Sequence, residues 1–202
     1  MNSLYDFIIK PVGRNRYNNS KKIGEKDLVL NTKIESWKFV NRFAEVVSTP
    51  LAFKTNIKKG DTIVVHQNVF RRFYNMKGEQ SNSRSYFKEN LYFASRDQIY
   101  LYKNKGEWHS FGDRCFVMPI KNIDPLINRK EEPYVGILKI GNNNLKASNI
   151  NREDLIGFKP GAEWEFFIDN QRLYCMKSND IVIKYGSKKN KIEYNPSWAS
   201  SC

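Results

Sequence analysis

"IKKGDTIVV", residues Ile57 to Val65, reads as a tight turn that starts a strand. Gly60 supplies the positive φ that such a turn needs, and Ile63 and Val65 then alternate into a core while Thr62 suits the solvent side. About a hundred residues later "FKPGAEWEF", Phe158 to Phe166, follows the same pattern, with Trp164 and Phe166 in the places of Ile63 and Val65. Neither stretch is a phosphate-binding loop, which needs several glycines leading into a helix.

Other segments recur in the same order. A strand ending in proline comes first in each half: Phe7–Pro11 and Cys115–Pro119. Phe43–Val47 and Tyr134–Leu138 come next, and then the two turn-and-strand stretches. Last come Leu91-Tyr92-Phe93 before Ile99-Tyr100-Leu101, and Leu173-Tyr174-Cys175 before Ile181-Val182-Ile183, each with eight residues from Leu to Ile. This order predicts a duplicated small β unit with its seam near Lys103–Gly112. The expected organisation is a first unit over 1–104, a second over 105–187 and a polar tail over 188–202.

Composition agrees with strands. Hydrophobic residues make up 40% of the 202 and aromatics 14%. The apolar segments are of strand length, β-branched or aromatic, and bounded by Gly, Pro, Asn or Asp, and none keeps a helical period for three turns. An all-β fold is expected, with at most a helical turn in a loop. No run of about 18 apolar residues occurs, so no membrane-spanning helix is expected. The N-terminal MNSLYDFIIKP lacks a basic-then-apolar leader, which points to a cytoplasmic protein. Cys115, Cys175 and Cys202 are widely spaced, as for reduced thiols, and the first two fall in strand interiors.

Catalytic chemistry is not legible. His66 ends an apolar run and His109 lies in the link between halves, neither in a ligand spacing with Cys, Asp or Glu, so no metal site is expected. Asp124, Asp154 and the pair Glu131-Glu132 read as loop and turn residues without paired-carboxylate logic. A binding protein without a cofactor is the expectation, not an enzyme. Its net charge of +13 favours an acidic partner.

The first half resembles the ten-kilodalton co-chaperonins, the GroES family, in particular their bacteriophage versions. Leu4-Tyr5-Asp6-Phe7-Ile8-Ile9-Lys10 stands where that family has its opening Pro-Leu-x-Asp-x-Val-Ile-Val strand. A long polar loop (about 12–32) leads into Leu28-Val29-Leu30-Asn31-Thr32, then Ala44-Glu45-Val46-Val47, then Lys58–Val64. Glu89–Phe93 with Asp97–Tyr100 resembles the closing hairpin. The resemblance implies two tandem GroES-like β-barrel units, the second degenerate, in a homo-oligomeric ring that is usually a heptamer. It further implies a cap on a GroEL-type chaperonin ring that encloses unfolded client proteins, with ATP bound by the chaperonin and not by this chain. Leu28, Val29 and Leu30 would dock on the chaperonin, and Gly13 and Gly24 would let the loop flex. Residues 13–27 hold too little apolar material to bury, which suits a mobile loop. On residue pattern alone Leu28–Leu30 also fits an ordinary core strand.

The chain departs from the family in a basic, aromatic insertion over about 67–90. Arg71, Arg72, Phe73, Tyr74, Arg84, Tyr86, Phe87 and Lys88 interleave cations and rings. By the resemblance this is a hairpin or loop at the dome or a subunit contact, with buried rings, and a place for client contact. The alternative is a surface that binds single-stranded nucleic acid, whose bases stack on such rings.

Overall fold

A computed structural model describes residues 3–24, 26–29, 36–123, 130–188 and 190–201. The fold is all-β, and the chain divides into two units, Met1–Trp108 and His109–Cys202. No helix among the described residues is long and apolar enough to cross a membrane.

The first unit is built from β1 (Phe7–Pro11), β2 (Ser20–Ile23), β3 (Lys26–Val29), β4 (Phe43–Ser48), β5 (Thr62–Val65), β6 (Arg72–Tyr74), β7 (Gln80–Asn82), β8 (Tyr86–Lys88), β9 (Leu91–Ala94) and β10 (Ile99–Asn104), with β11 (Glu107–Ser110) after it. Its main sheet runs β11-β10-β5-β4-β1-β9-β8, while β2-β3 and β6-β7 are separate ribbons. Phe7, Ile9, Ala44, Val46, Ile63, Val64, Val65 and Leu101 have no solvent exposure and form its core. Each of these β-branched or aromatic runs sits on a pleated surface whose apolar face is buried.

The second unit has β12 (Arg114–Lys121), β13 (Glu131–Ile140), a short helix α1 (Asn143–Ala147), β14 (Asp154–Phe158), β15 (Trp164–Ile168), β16 (Gln171–Lys177) and β17 (Ile181–Ser187). Its sheet runs β15-β16-β12-β13-β14-β17. With β12 read as β1, this is the order β8-β9-β1-β4-β5-β10 of the first unit.

The equivalence holds residue by residue. Phe7, Ile8 and Ile9 pair with Ala94, Phe93 and Tyr92; Cys115, Phe116 and Val117 pair with Met176, Cys175 and Tyr174. On the other side Ile9 faces Val46 and Ile8 faces Ser48, so the ladder skips Val47. Val117 faces Leu138 and Phe116 faces Ile140, so it skips Lys139. A second irregularity recurs where Ile99 and Leu101 meet Val65 and Val64, and where Ile181 and Ile183 meet Phe158 and Gly157. Bulges twist and bend a sheet locally, so the two units share two such local bends as well as their strand order.

One expected match is corrected. The counterpart of Ile57–Val65 is Ile150–Phe158, "INREDLIGF", because Ile63 and Ile156 face Ala44 and Gly136 in the same register. The turn is reproduced: Lys58 N–H donates to Asp61 Oδ2 at 2.7 Å, and Asn151 N–H to Asp154 Oδ2 at 2.8 Å. "FKPGAEWEF" begins at the end of β14 and starts β15, which holds the sheet position of β8. Its glycine marks a different turn.

The expected polar tail belongs to the second unit's packing. Lys121 N–H donates to Ile192 O and Tyr194 N–H to Pro119 O, both at 2.8 Å, and Trp198 rests 5.2 Å from the Phe167 ring. Lys139 Nζ bonds Glu193 at 2.7 Å and Glu153 at 2.8 Å.

Candidate functional site

The segment between β1 and β4 is tied at its base. Buried Asn41 donates from Nδ2 to Val12 O and Asn15 O, and its Oδ1 accepts from Phe43 N–H. Asn41 N–H donates to Arg16 O, and Asn18 N–H to Phe39 O. Beyond this base the expected mobile loop is, over its described residues, the ribbon β2-β3. Ser20, Lys21, Lys22 and Ile23 pair with Val29, Leu28, Asp27 and Lys26. Gly24, with φ +63°, makes the turn, and Gly13, with φ +72°, lies in a short 3-10 turn after β1. A two-stranded ribbon satisfies half its backbone bonds without burying a core, so a polar composition does not exclude it. Leu28 and Val29 are 52% and 55% exposed, on opposite faces of the ribbon. They are not core residues of the unit. Leu30 and the end of the expected loop lie outside the described residues.

The insertion forms a second ribbon and an edge strand. Arg72, Phe73 and Tyr74 pair with Asn82, Ser81 and Gln80, and β8 adds to the main sheet beside β9. Phe73, Tyr74, Tyr86 and Phe87 are between 37% and 49% exposed. The unit itself therefore does not bury these rings. Arg72, Arg84 and Lys88 are exposed as well, and Arg71 is half-buried with no partner for Nε among the described residues. Lys88 Nζ lies 5.4 Å from the Phe87 ring centre, and Phe87 packs on Phe93 at 5.0 Å.

What positions this face is Arg16, which sequence reading passed over. Its Nε donates to Phe70 O at 2.9 Å and its Nη1 to Asn82 Oδ1 at 2.7 Å. The guanidinium lies over Tyr92 at 5.3 Å and near Tyr86 at 6.0 Å, while Phe70 meets Tyr92 edge-on at 4.8 Å. Tyr17 contributes by accepting the Arg72 N–H at 2.7 Å. The start of the β1–β4 segment thus holds the ribbon of the insertion. The partners are more than fifty residues apart in the chain, and no local pattern announces them.

The second unit carries an equivalent stack. Arg172 lies 4.9 Å from the centre of the Tyr174 ring, the counterpart of Tyr92, and bonds both Glu131 and Glu165. Burial, then the hydrogen bond to Glu131, pushes the Tyr174 hydroxyl well above its ordinary value, so it stays a donor. His66 caps a 3-10 turn, its Nδ1 accepting from Asn68 N–H at 3.1 Å. Among the described residues no three His, Cys, Asp or Glu side chains converge as metal ligands.

No family model matches the chain, and no curated protein matches it.

Proposed function

We propose that this chain is a co-chaperonin of GroES type, with both units small barrels of that kind, acting as a ring that caps an ATP-driven chaperonin around a client protein. The observation that carries the reading is the ribbon β2-β3, tied at its base and presenting Leu28 and Val29 outside the core. The order of strands and motifs in both units is compatible with it. Removing two half-exposed aliphatic side chains from water gives roughly 2–3 kcal/mol per copy before ordering costs. One contact of that size is weak, and a ring holding several becomes firm through avidity. The second unit has no ribbon between β12 and β13 among its described residues, and its role is to enlarge or line the dome. The test is co-sedimentation with a bacterial chaperonin with and without ATP, beside the double variant Leu28→Asp, Val29→Asp. Nucleotide-dependent binding lost in the variant supports the reading. A folded chain of ring-like mass that never binds overturns it.

The exposure of Phe73, Tyr74, Tyr86 and Phe87 beside Arg72, Arg84 and Lys88 favours a second reading, a face for single-stranded nucleic acid. Fluorescence anisotropy with labelled oligothymidylate checks it. Binding that weakens steeply with salt and is lost in Phe73→Ala, Tyr86→Ala supports this reading, and the absence of binding at low salt removes it.

A further inference from the structure

The second unit carries a half-open pocket of about 310 Å³, at the lower end of the range of small-ligand sites. Three aromatic rings line it: Tyr134 from β13, Phe158 from β14 and Tyr174 from β16. Phe158 is 5% exposed and stands between the other two. Its ring centre is 6.5 Å from Tyr134 at 86° and 6.4 Å from Tyr174 at 63°, so the rings meet at steep angles, like the sides of a box.

Carboxylates surround the rings, and their partners differ. Glu131 is held by Arg172 and by the Tyr174 hydroxyl, and Glu132 by Lys191. Glu163 also lines the cavity, and its Oε2 is buried with no hydrogen-bond partner among the described residues. Lys130, at the same cavity, is exposed. A buried carboxylate oxygen without a donor calls for a partner, and a cationic group is one that would satisfy it. Aromatic rings attract the same kind of ligand through their negative π-faces, and Tyr174 already carries one cation, the Arg172 guanidinium at 4.9 Å.

The backbone supports a purpose for Tyr134. Its φ of +60° lies in the left-handed region, where a bulky residue is an outlier and outliers gather at binding sites. The first unit lacks the box: Arg42 stands for Tyr134 and buried Val65 for Phe158. The ring of Tyr92, equivalent to Tyr174, is covered by Phe70 of the insertion. The second unit has no such insertion.

We propose that this cavity binds an alkylammonium group, with Tyr134, Phe158 and Tyr174 facing its carbon-rich shell and Glu163 balancing its charge. The group arrives either as a free quaternary ammonium compound or as a lysine side chain of a peptide. The proposal is independent of the chaperonin reading, since none of these residues belongs to β2-β3.

Calorimetric titration of the full chain with choline chloride, and separately with Nα-acetyl-lysine amide, tests it against sodium chloride at equal ionic strength. Saturable binding with a Kd of about 1 mM or tighter is expected for at least one probe. The probe bound more tightly identifies the source. Glu163→Gln, which keeps the side-chain shape, and Tyr134→Leu should each weaken that binding about tenfold. Heats equal to those of sodium chloride for both probes, or affinity within twofold of the parent in Glu163→Gln, overturn the proposal. Circular dichroism of each variant separates loss of binding from loss of fold.

Discussion

Glu153 occupies in the second unit the place that Gly60 holds in the first. Glu153 N–H donates to Leu138 O and Gly60 N–H to Val46 O, both at 2.8 Å, and both residues are left-handed, with φ of +70° and +89°. Glu153 bears a side chain there and uses it, bonding Lys139 and Lys188 at 2.8 Å each. Glu153→Gln removes the ion pairs and keeps the strain, whereas Glu153→Gly removes both. The glycine variant should therefore be more stable than the glutamine variant by roughly 0.5–1 kcal/mol, the left-handed penalty less the entropy cost of glycine. Urea denaturation of the two variants side by side measures the difference.

The same network sets an acid response. Burial opposes ionisation of Glu153 and Glu193, but hydrogen bonds from Lys139 and Lys188 outweigh it and hold both carboxyls below their ordinary value of 4.5. Carboxyls lowered in the folded state stabilise it above the unfolded value, and that contribution is lost as pH falls through the folded one. Lys139→Met should cost about 1–2 kcal/mol at pH 7 and less at pH 3, as the two carboxyls take up protons. Urea midpoints of parent and variant at the two pH values check this.

Arg16→Ala should free the insertion. It removes the bonds to Phe70 O and Asn82 and uncovers the Tyr92 ring, at a cost of about 2 kcal/mol. Chymotrypsin should then cut at Phe73 or Tyr74 several times faster than in the parent, with the second unit still resistant.

The strand thiols should be silent. Cys115 is fully buried and Cys175 is 3% exposed, and burial, reinforced by Cys175, pushes the Cys115 thiol far above its usual range. An aromatic disulfide reagent at pH 8 should modify neither in the folded chain and both in denaturant, as mass spectrometry of tryptic peptides would show.

Much of the duplication was legible because three pairs of segments keep the same apolar run in the same order. Phe7–Pro11 and Cys115–Pro119 share their proline, and the Leu-to-Ile spacing of β9-β10 recurs in β16-β17. The turn misled for a physical reason. A left-handed residue usually announces itself as glycine, yet the second unit keeps the geometry with Glu153, while Gly161 makes a different turn. The ribbon β2-β3 was hidden because an exposed two-stranded ribbon and an irregular loop share a polar composition. The box of Tyr134, Phe158 and Tyr174 draws on three strands, and such convergence leaves no local trace.

The repeated register has a further consequence, for folding. During collapse each copy offers the other a decoy, since β4 presents to β12 the same ladder that β13 does, bulge included. Mispairing between tandem copies is a known trap for repeated folds. Side-chain volume sorts the two. At Gly136 a Cβ would meet Val117 Cγ1 at 2.4 Å and the Met118 carbonyl oxygen at 2.7 Å. Ala44, at the matching place in β4, carries that atom. In this register β12 thus disfavours the wrong copy by one methyl group.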